Sequence, residues 1–228
     1  MAEPDFQGIE LLPQIGVPRQ LFILLHGAGA RSSDMLPLAL QFNDAFPDAA
    51  FLIPDGIEPC GGGSSGRQWF PVSGVTEGNR IARVAASMPA LHGIVQSAQQ
   101  RLGILQTDTA LIGFSQGAIM AMEYAMAYDG GAGRVLAFSG RYAKLPDKAP
   151  EFTTMHLFHG EDDDVIPVAH AYAAYQRLTE LQGDATIDVG STVGHEIHPA
   201  LVARAIRRLQ TCVPLRSWKQ ALSDAQGM

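Results

Sequence analysis

Five short apolar runs, separated by stretches of helical periodicity, constrain this chain more than any other feature. Leu21-Phe-Ile-Leu-Leu25 is apolar without alternation, as a strand buried on both faces requires. Residues 50–53 repeat the type and stop at Pro54-Asp55-Gly56, a turn signal. Residues 109–114, 134–138 and 154–158 supply three more such runs. A sixth strand falls near 185–190, and residues 8–15 read as an antiparallel edge strand. Between the runs, residues 79–102 carry Ile81, Val84, Met88, Leu91, Val95 and Leu102 at helical spacing, with Pro89 expected to kink or split the element. Helices are also predicted over 116–127, 169–182 and 196–210. Strands alternating with helices predict an α/β fold, a mostly parallel central sheet with helices on both faces.

The length suits one sizeable core, so residues 1–210 are read as a single domain, with 211–228 as a C-terminal tail, helical around Trp218 and Leu222. The net charge is −7 and the basic residues are scattered, which excludes the cationic face that nucleic-acid binding requires. No apolar run approaches the ~18 residues of a membrane span, so no stable membrane insertion is expected. Met1-Ala2-Glu3-Pro4-Asp5 lacks the charged and apolar regions of a signal peptide, and a cytoplasmic location is expected. Cys60 and Cys212 stand far apart and in no motif, which fits free thiols rather than a disulfide or a metal site.

Gly-x-Ser-x-Gly occurs twice, and only the setting tells the two apart. Gly62-Gly63-Ser64-Ser65-Gly66 lies in a glycine-serine loop, follows no strand and opens no helix. Gly113-Phe114-Ser115-Gln116-Gly117 follows an apolar strand and opens the helix from Ala118 to Met126. A serine hydroxyl is a weak nucleophile until a base reaches it, and a sharp strand-to-helix turn projects its oxygen toward one. The helix N-terminus also presents backbone N–H groups to a developing oxyanion, the first being that of Gln116. Ser115 is therefore the candidate nucleophile, and Ser64 is set aside.

With a nucleophile of this type, the acid and then the histidine follow in chain order. His195, in Thr192-Val193-Gly194-His195-Glu196, occupies a loop between the last strand and the last helix, where a base can reach over the carboxyl edge of the sheet. His198 falls inside the predicted helix and ranks behind it. His156 lies within a strand, His159 ends one and is expected to hydrogen-bond locally, and His170 starts a helix. The acid belongs to His159-Gly-Glu-Asp-Asp-Asp-Val-Ile-Pro167, where four carboxylates compete. A loop has no periodicity to choose among Asp162, Asp163 and Asp164, beyond a mild preference for the middle of the run.

Four motifs in order, His26-Gly-Ala-Gly-Ala30, Gly113-Phe-Ser-Gln-Gly-Ala118, the acidic loop and Gly194-His-Glu196, resemble the phospholipase/carboxylesterase family of α/β-hydrolases, the group of carboxylesterases and acyl-protein thioesterases. The likeness spans nearly all of residues 20–210. It implies the α/β-hydrolase fold and a serine hydrolase cleaving esters or thioesters. It places the acid four residues before Pro167, at Asp163, and implies Ala28 as the second oxyanion donor beside Gln116. His26, ahead of the serine and at a strand end, is read as fastening that loop. The resemblance also implies that Trp69 and Phe70 line the acyl site. Pro71 stands where the family carries aspartate, a departure that bears on pocket shape.

The resulting expectation is a Ser115–His195–Asp163 triad working on a small-molecule ester or thioester, with no cofactor and no metal. An acyltransferase would use the same residues with a different acceptor. An inactive hydrolase fold serving as a binder would not need all four motifs, and a dienelactone hydrolase-like enzyme would carry cysteine at position 115. A homodimer is left open.

Overall fold

The computed structural model describes residues 6–226 apart from Gly62. The N-terminal residues that bear on a leader, and one glycine of the Ser64 motif, lie outside the described residues.

The chain runs β1 (Gly8–Leu11), β2 (Gln20–Leu25), α1 (Ser32–Ala45), β3 (Ala49–Pro54), β4 (Glu58–Pro59), β5 (Arg67–Gln68), α2 (Glu77–Leu102), β6 (Thr109–Phe114), α3 (Gln116–Ala127), β7 (Arg134–Phe138), β8 (Thr154–Gly160), α4 (Ala169–Glu180), β9 (Ala185–Gly190), α5 (Pro199–Thr211) and α6 (Leu215–Gln226). Seven strands form one sheet in the order β1-β3-β2-β6-β7-β8-β9, while β4 and β5 pair separately. β1 is antiparallel to β3, as the edge-strand reading requires, although it stops at Leu11; the remaining pairs of the large sheet are parallel. This is the α/β-hydrolase arrangement.

Side chains alternate across each strand, so one strand feeds two cores. Leu21, Ile23 and Leu25 of β2 pack with Val84 and Leu91 of α2, Met120 of α3 and Leu178 of α4. Phe22 and Leu24 face the other way, onto Met35 and Phe42 of α1 and Leu201 and Val202 of α5. Each sheet face is thereby covered by helices, and every strand between the edges can be apolar throughout.

Three local features depart from the sequence reading. α1 is missing from it, because Pro37 interrupts the run Met35-Leu38-Ala39-Phe42 that the helix buries. α2 is one helix through Pro89, where a kink or split was expected. Pro89 sits on the exposed face, so water can satisfy the carbonyl whose hydrogen bond it removes. Its ends are well specified, by a Thr76–Asn79 capping box and by Gly103 at φ 66°. α5 begins at Pro199 rather than beside Glu196, and the His198 side chain caps it by accepting from the Ala200 N–H at 3.2 Å. The tail is helical as expected, with Trp218 and Leu222 largely exposed on α6. Among the described residues no helix is long and apolar enough to cross a membrane, and Cys60 and Cys212 are free.

Candidate active site

β6 ends at Phe114 and α3 begins at Gln116, so a single residue makes the whole turn. Ser115 takes φ 54° and ψ −116°, a strained conformation for a side-chain-bearing residue that costs about 1–3 kcal/mol. The glycines permit the turn by contact as much as by conformation. A Cβ on Gly113 would lie 2.3 Å from the Gly117 carbonyl oxygen, and one on Gly117 would lie 2.0 Å from that of Leu25. The strained serine is fastened by its N–H, which donates to the Phe138 carbonyl of β7 at 3.0 Å.

Two loops at the same sheet edge meet it. His195 Nε2 lies 2.9 Å from Ser115 Oγ, and His195 Nδ1 lies 2.8 Å from Asp163 Oδ2. Burial pushes the Asp163 carboxyl up, but the hydrogen bonds from His195 and from the Ile166 N–H prevail and hold it below the ordinary carboxylate value. An ionised Asp163 only accepts, so Nδ1 carries the proton and Nε2 is left to accept from the Ser115 hydroxyl. The other carboxylate oxygen accepts from the N–H groups of Val165 and Ile166, at 3.0 and 2.8 Å. Gly160 lets the two loops close up, since a Cβ there would lie 2.3 Å from the Val193 carbonyl oxygen. The Phe114 ring packs on the imidazole of His195 with centroids 5.0 Å apart.

The loop after β2, which carries Ala28, is braced on three sides. Burial holds His26 below its ordinary pKa, so the ring is neutral. Its Nδ1–H donates to the Gly27 carbonyl at 2.7 Å, and Nε2 accepts from the Gly56 N–H at 2.8 Å. Gly29 N–H donates to the Arg67 carbonyl at 2.8 Å, and Arg67 N–H to that of Ala30 at 2.9 Å. Trp69 Nε1–H donates to the His26 carbonyl at 2.9 Å. The Gln116 side chain clamps the segment behind it, accepting from the Trp69 N–H at 2.8 Å and donating to the Phe70 carbonyl at 2.7 Å.

Two cavities meet at Ser115. One, of about 580 Å³, includes His195, Glu196, Ile197 and Met35 in its wall; the other, of about 300 Å³, includes Gln116, Phe70, Ile119 and Ile166. Ala28 and Ser115 border both. The expectation that Trp69 contacts substrate is corrected here. Its side chain is fully buried against the loop after β2, and only Phe70 of the pair faces a cavity.

A sequence model of the phospholipase/carboxylesterase family matches residues 10–213. The chain belongs to the phospholipase/carboxylesterase family. As a member it is an enzyme of the carboxylesterase/thioesterase type. It is 44% identical over 208 residues to "Esterase YpfH" of Escherichia coli K12, a match covering 91% of this chain and 89% of that protein. It is 27% identical over 194 residues to "Acyl-protein thioesterase 1" of Saccharomyces cerevisiae, covering 77% of this chain and 85% of that one. The crystal structure of esterase PE8 superposes with a TM-score of 0.83 at 30% identity, covering 90% of this chain and 98% of the other. The family match ends two residues before α6, whose sequence lies beyond it.

Of the residues singled out in the sequence, the structure brings Ser115, His195, Asp163, Ala28 and Gln116 together at one sheet edge, while His198 is accounted for as a helix cap. Asp162 and Asp164 contribute no side-chain bond to His195. His159, read from the sequence as a strand-end histidine that hydrogen-bonds locally, does so. Burial lowers its pKa, its Nε2–H donates to the Ile166 carbonyl at 2.7 Å, and it lies 3.3 Å from Asp163 Oδ2. It therefore holds the acidic loop in shape, and the Asp163 contact is the part that its place at a strand end did not reveal.

Proposed function

We propose that the chain hydrolyses carboxylic esters or thioesters through an acyl-enzyme on Ser115. The observation that carries the reading is the continuous hydrogen-bond chain from Ser115 through His195 to Asp163, with the proton position fixed by an ionised acid. His195 Nε2 takes the hydroxyl proton as Ser115 attacks the carbonyl carbon. The oxyanion forms next to the Gln116 and Ala28 N–H groups, and Asp163 stabilises the imidazolium without taking its proton. Collapse of the tetrahedral intermediate expels the alcohol or thiol, protonated by His195. Water, activated by the same imidazole, then releases the acid.

Proton delivery assigns the cavities. The leaving group must lie beside His195, hence in the larger cavity, and the acyl group enters the smaller one bordered by Gln116 and Phe70. At about 300 Å³ the smaller is the tighter of the two, and Phe70, Val72, Val75 and Ile119 in its wall suit a short apolar acyl segment. Nothing in this scheme calls for a metal or an organic cofactor. Trapping of an acyl group on Ser115 during turnover tests the reading.

A further inference from the structure

The acyl-side cavity is not uniformly apolar. Beside Phe70, Val72, Val75 and Ile119, its wall includes Arg80 from the first turn of α2 and Arg141 from the loop after β7. Their side chains are only 14% and 16% exposed. Arginine is seldom so covered without paired charge. Here the two guanidiniums share one carboxylate, Glu77, which is itself 67% exposed. Arg141 bonds both Glu77 oxygens, at 3.1 and 2.9 Å, while among the described residues Arg80 bonds one of the same oxygens and no other acceptor. A guanidinium has five N–H donors, so Arg80 has several left to offer. Two cations against one solvent-facing anion leave positive charge on this wall, in a chain whose net charge is −7.

We infer that this wall selects acyl groups carrying a carboxylate, so that the preferred substrates are half-esters or half-thioesters of short dicarboxylic acids. A planar carboxylate matches the guanidinium fork, and the apolar residues suit the methylenes that separate it from the ester carbonyl. The inference rests on the triad reading and on the acyl-side assignment derived from it. A pair of arginines serving only to tie α2 to the loop after β7 would bring no such preference.

The test compares monoethyl succinate, glutarate and adipate with the ethyl esters of the matching ω-amides, which are neutral and of nearly the same shape. At least one carboxylate ester should exceed its amide partner in kcat/KM by about tenfold or more, the difference residing mainly in KM, as bonds to a charged group imply. Arg80→Gln should collapse that ratio toward one, and Arg80→Lys should restore part of it. In the wild-type enzyme, free glutarate should inhibit competitively where glutaramide does not, a readout that needs no variant to fold. Ratios of one or less for all three pairs, with the amide esters turned over and Ser115 labelled by a fluorophosphonate, would overturn the anion site alone. A ratio that survives both Arg80→Gln and Arg141→Gln would also overturn it. No hydrolysis of any ester together with no labelling of Ser115 would overturn the triad reading and this one with it.

Discussion

Asp163 shows what a residue's neighbours decide. Four carboxylates crowd residues 161–164, yet one alone is fully buried at the side chain and receives His195 as well as two backbone N–H groups. Those bonds exist only in the folded loop, so spacing in the sequence gave a run and resemblance gave the member. Asp163→Asn should retain the fold and lose about 10⁴ in kcat, the loss known for the orienting acid of a serine-protease triad, because the amide would favour the wrong imidazole tautomer. Asp162→Asn and Asp164→Asn should stay within a few-fold of wild type. Steady-state kinetics on a short-chain ester decide between them, and a crippling effect at position 162 or 164 would contradict the assignment. His195 was legible because a loop between strand and helix suits a base; that His198 is a cap became evident only once Pro199 set the start of α5.

Among the elements, the strands were the most legible, since burial on both faces writes an unbroken apolar run. The helices were less so. α1 hides behind Pro37, and the short pair β4–β5 has no periodicity at all, although it braces the proposed oxyanion loop through Arg67. That brace depends on close approach. A Cβ on Gly66 would lie 2.1 Å from the Gly29 carbonyl oxygen. Gly66→Ala must therefore push residues 27–30 aside and displace the Ala28 N–H. We expect kcat to fall toward the ~10²–10³ that loss of one oxyanion donor costs, with the hydrogen bond between Ser115 and His195 kept. Circular dichroism should show an intact fold, and undiminished kcat would contradict the proposed role of this loop. Trp69 belongs to the same brace. The family resemblance implied a pocket wall, and only the packed structure reveals which way the ring points.

At the scale of the whole molecule, three histidines buried in the neutral form tie stability to pH. Burial lowers the pKa of His26, His156 and His159, that of His156 to about 3, with Arg134 and Arg208 adding to the effect. In the unfolded chain each returns to about 6.5. Between those values the unfolded state binds more protons, so stability rises with pH. This contribution is present above pH ~6.5 and is lost as pH falls from there toward 3. Urea midpoints should already decline between pH 7 and 5, above the range where the carboxylates titrate. His156→Gln should reduce the slope by about one proton, ~1.4 kcal/mol per pH unit. Equal slopes in the two proteins would contradict the buried neutral assignment. Every step proposed for the reaction passes through Ser115 Oγ, the atom that takes the acyl group. Wild-type protein quenched in acid during turnover of an activated short-chain ester should show an intact mass raised by the acyl group, mapped to the peptide containing Ser115, and Ser115→Ala should show neither adduct nor turnover. An acyl group found on Ser64 or any other residue, or full turnover by Ser115→Ala, would contradict it.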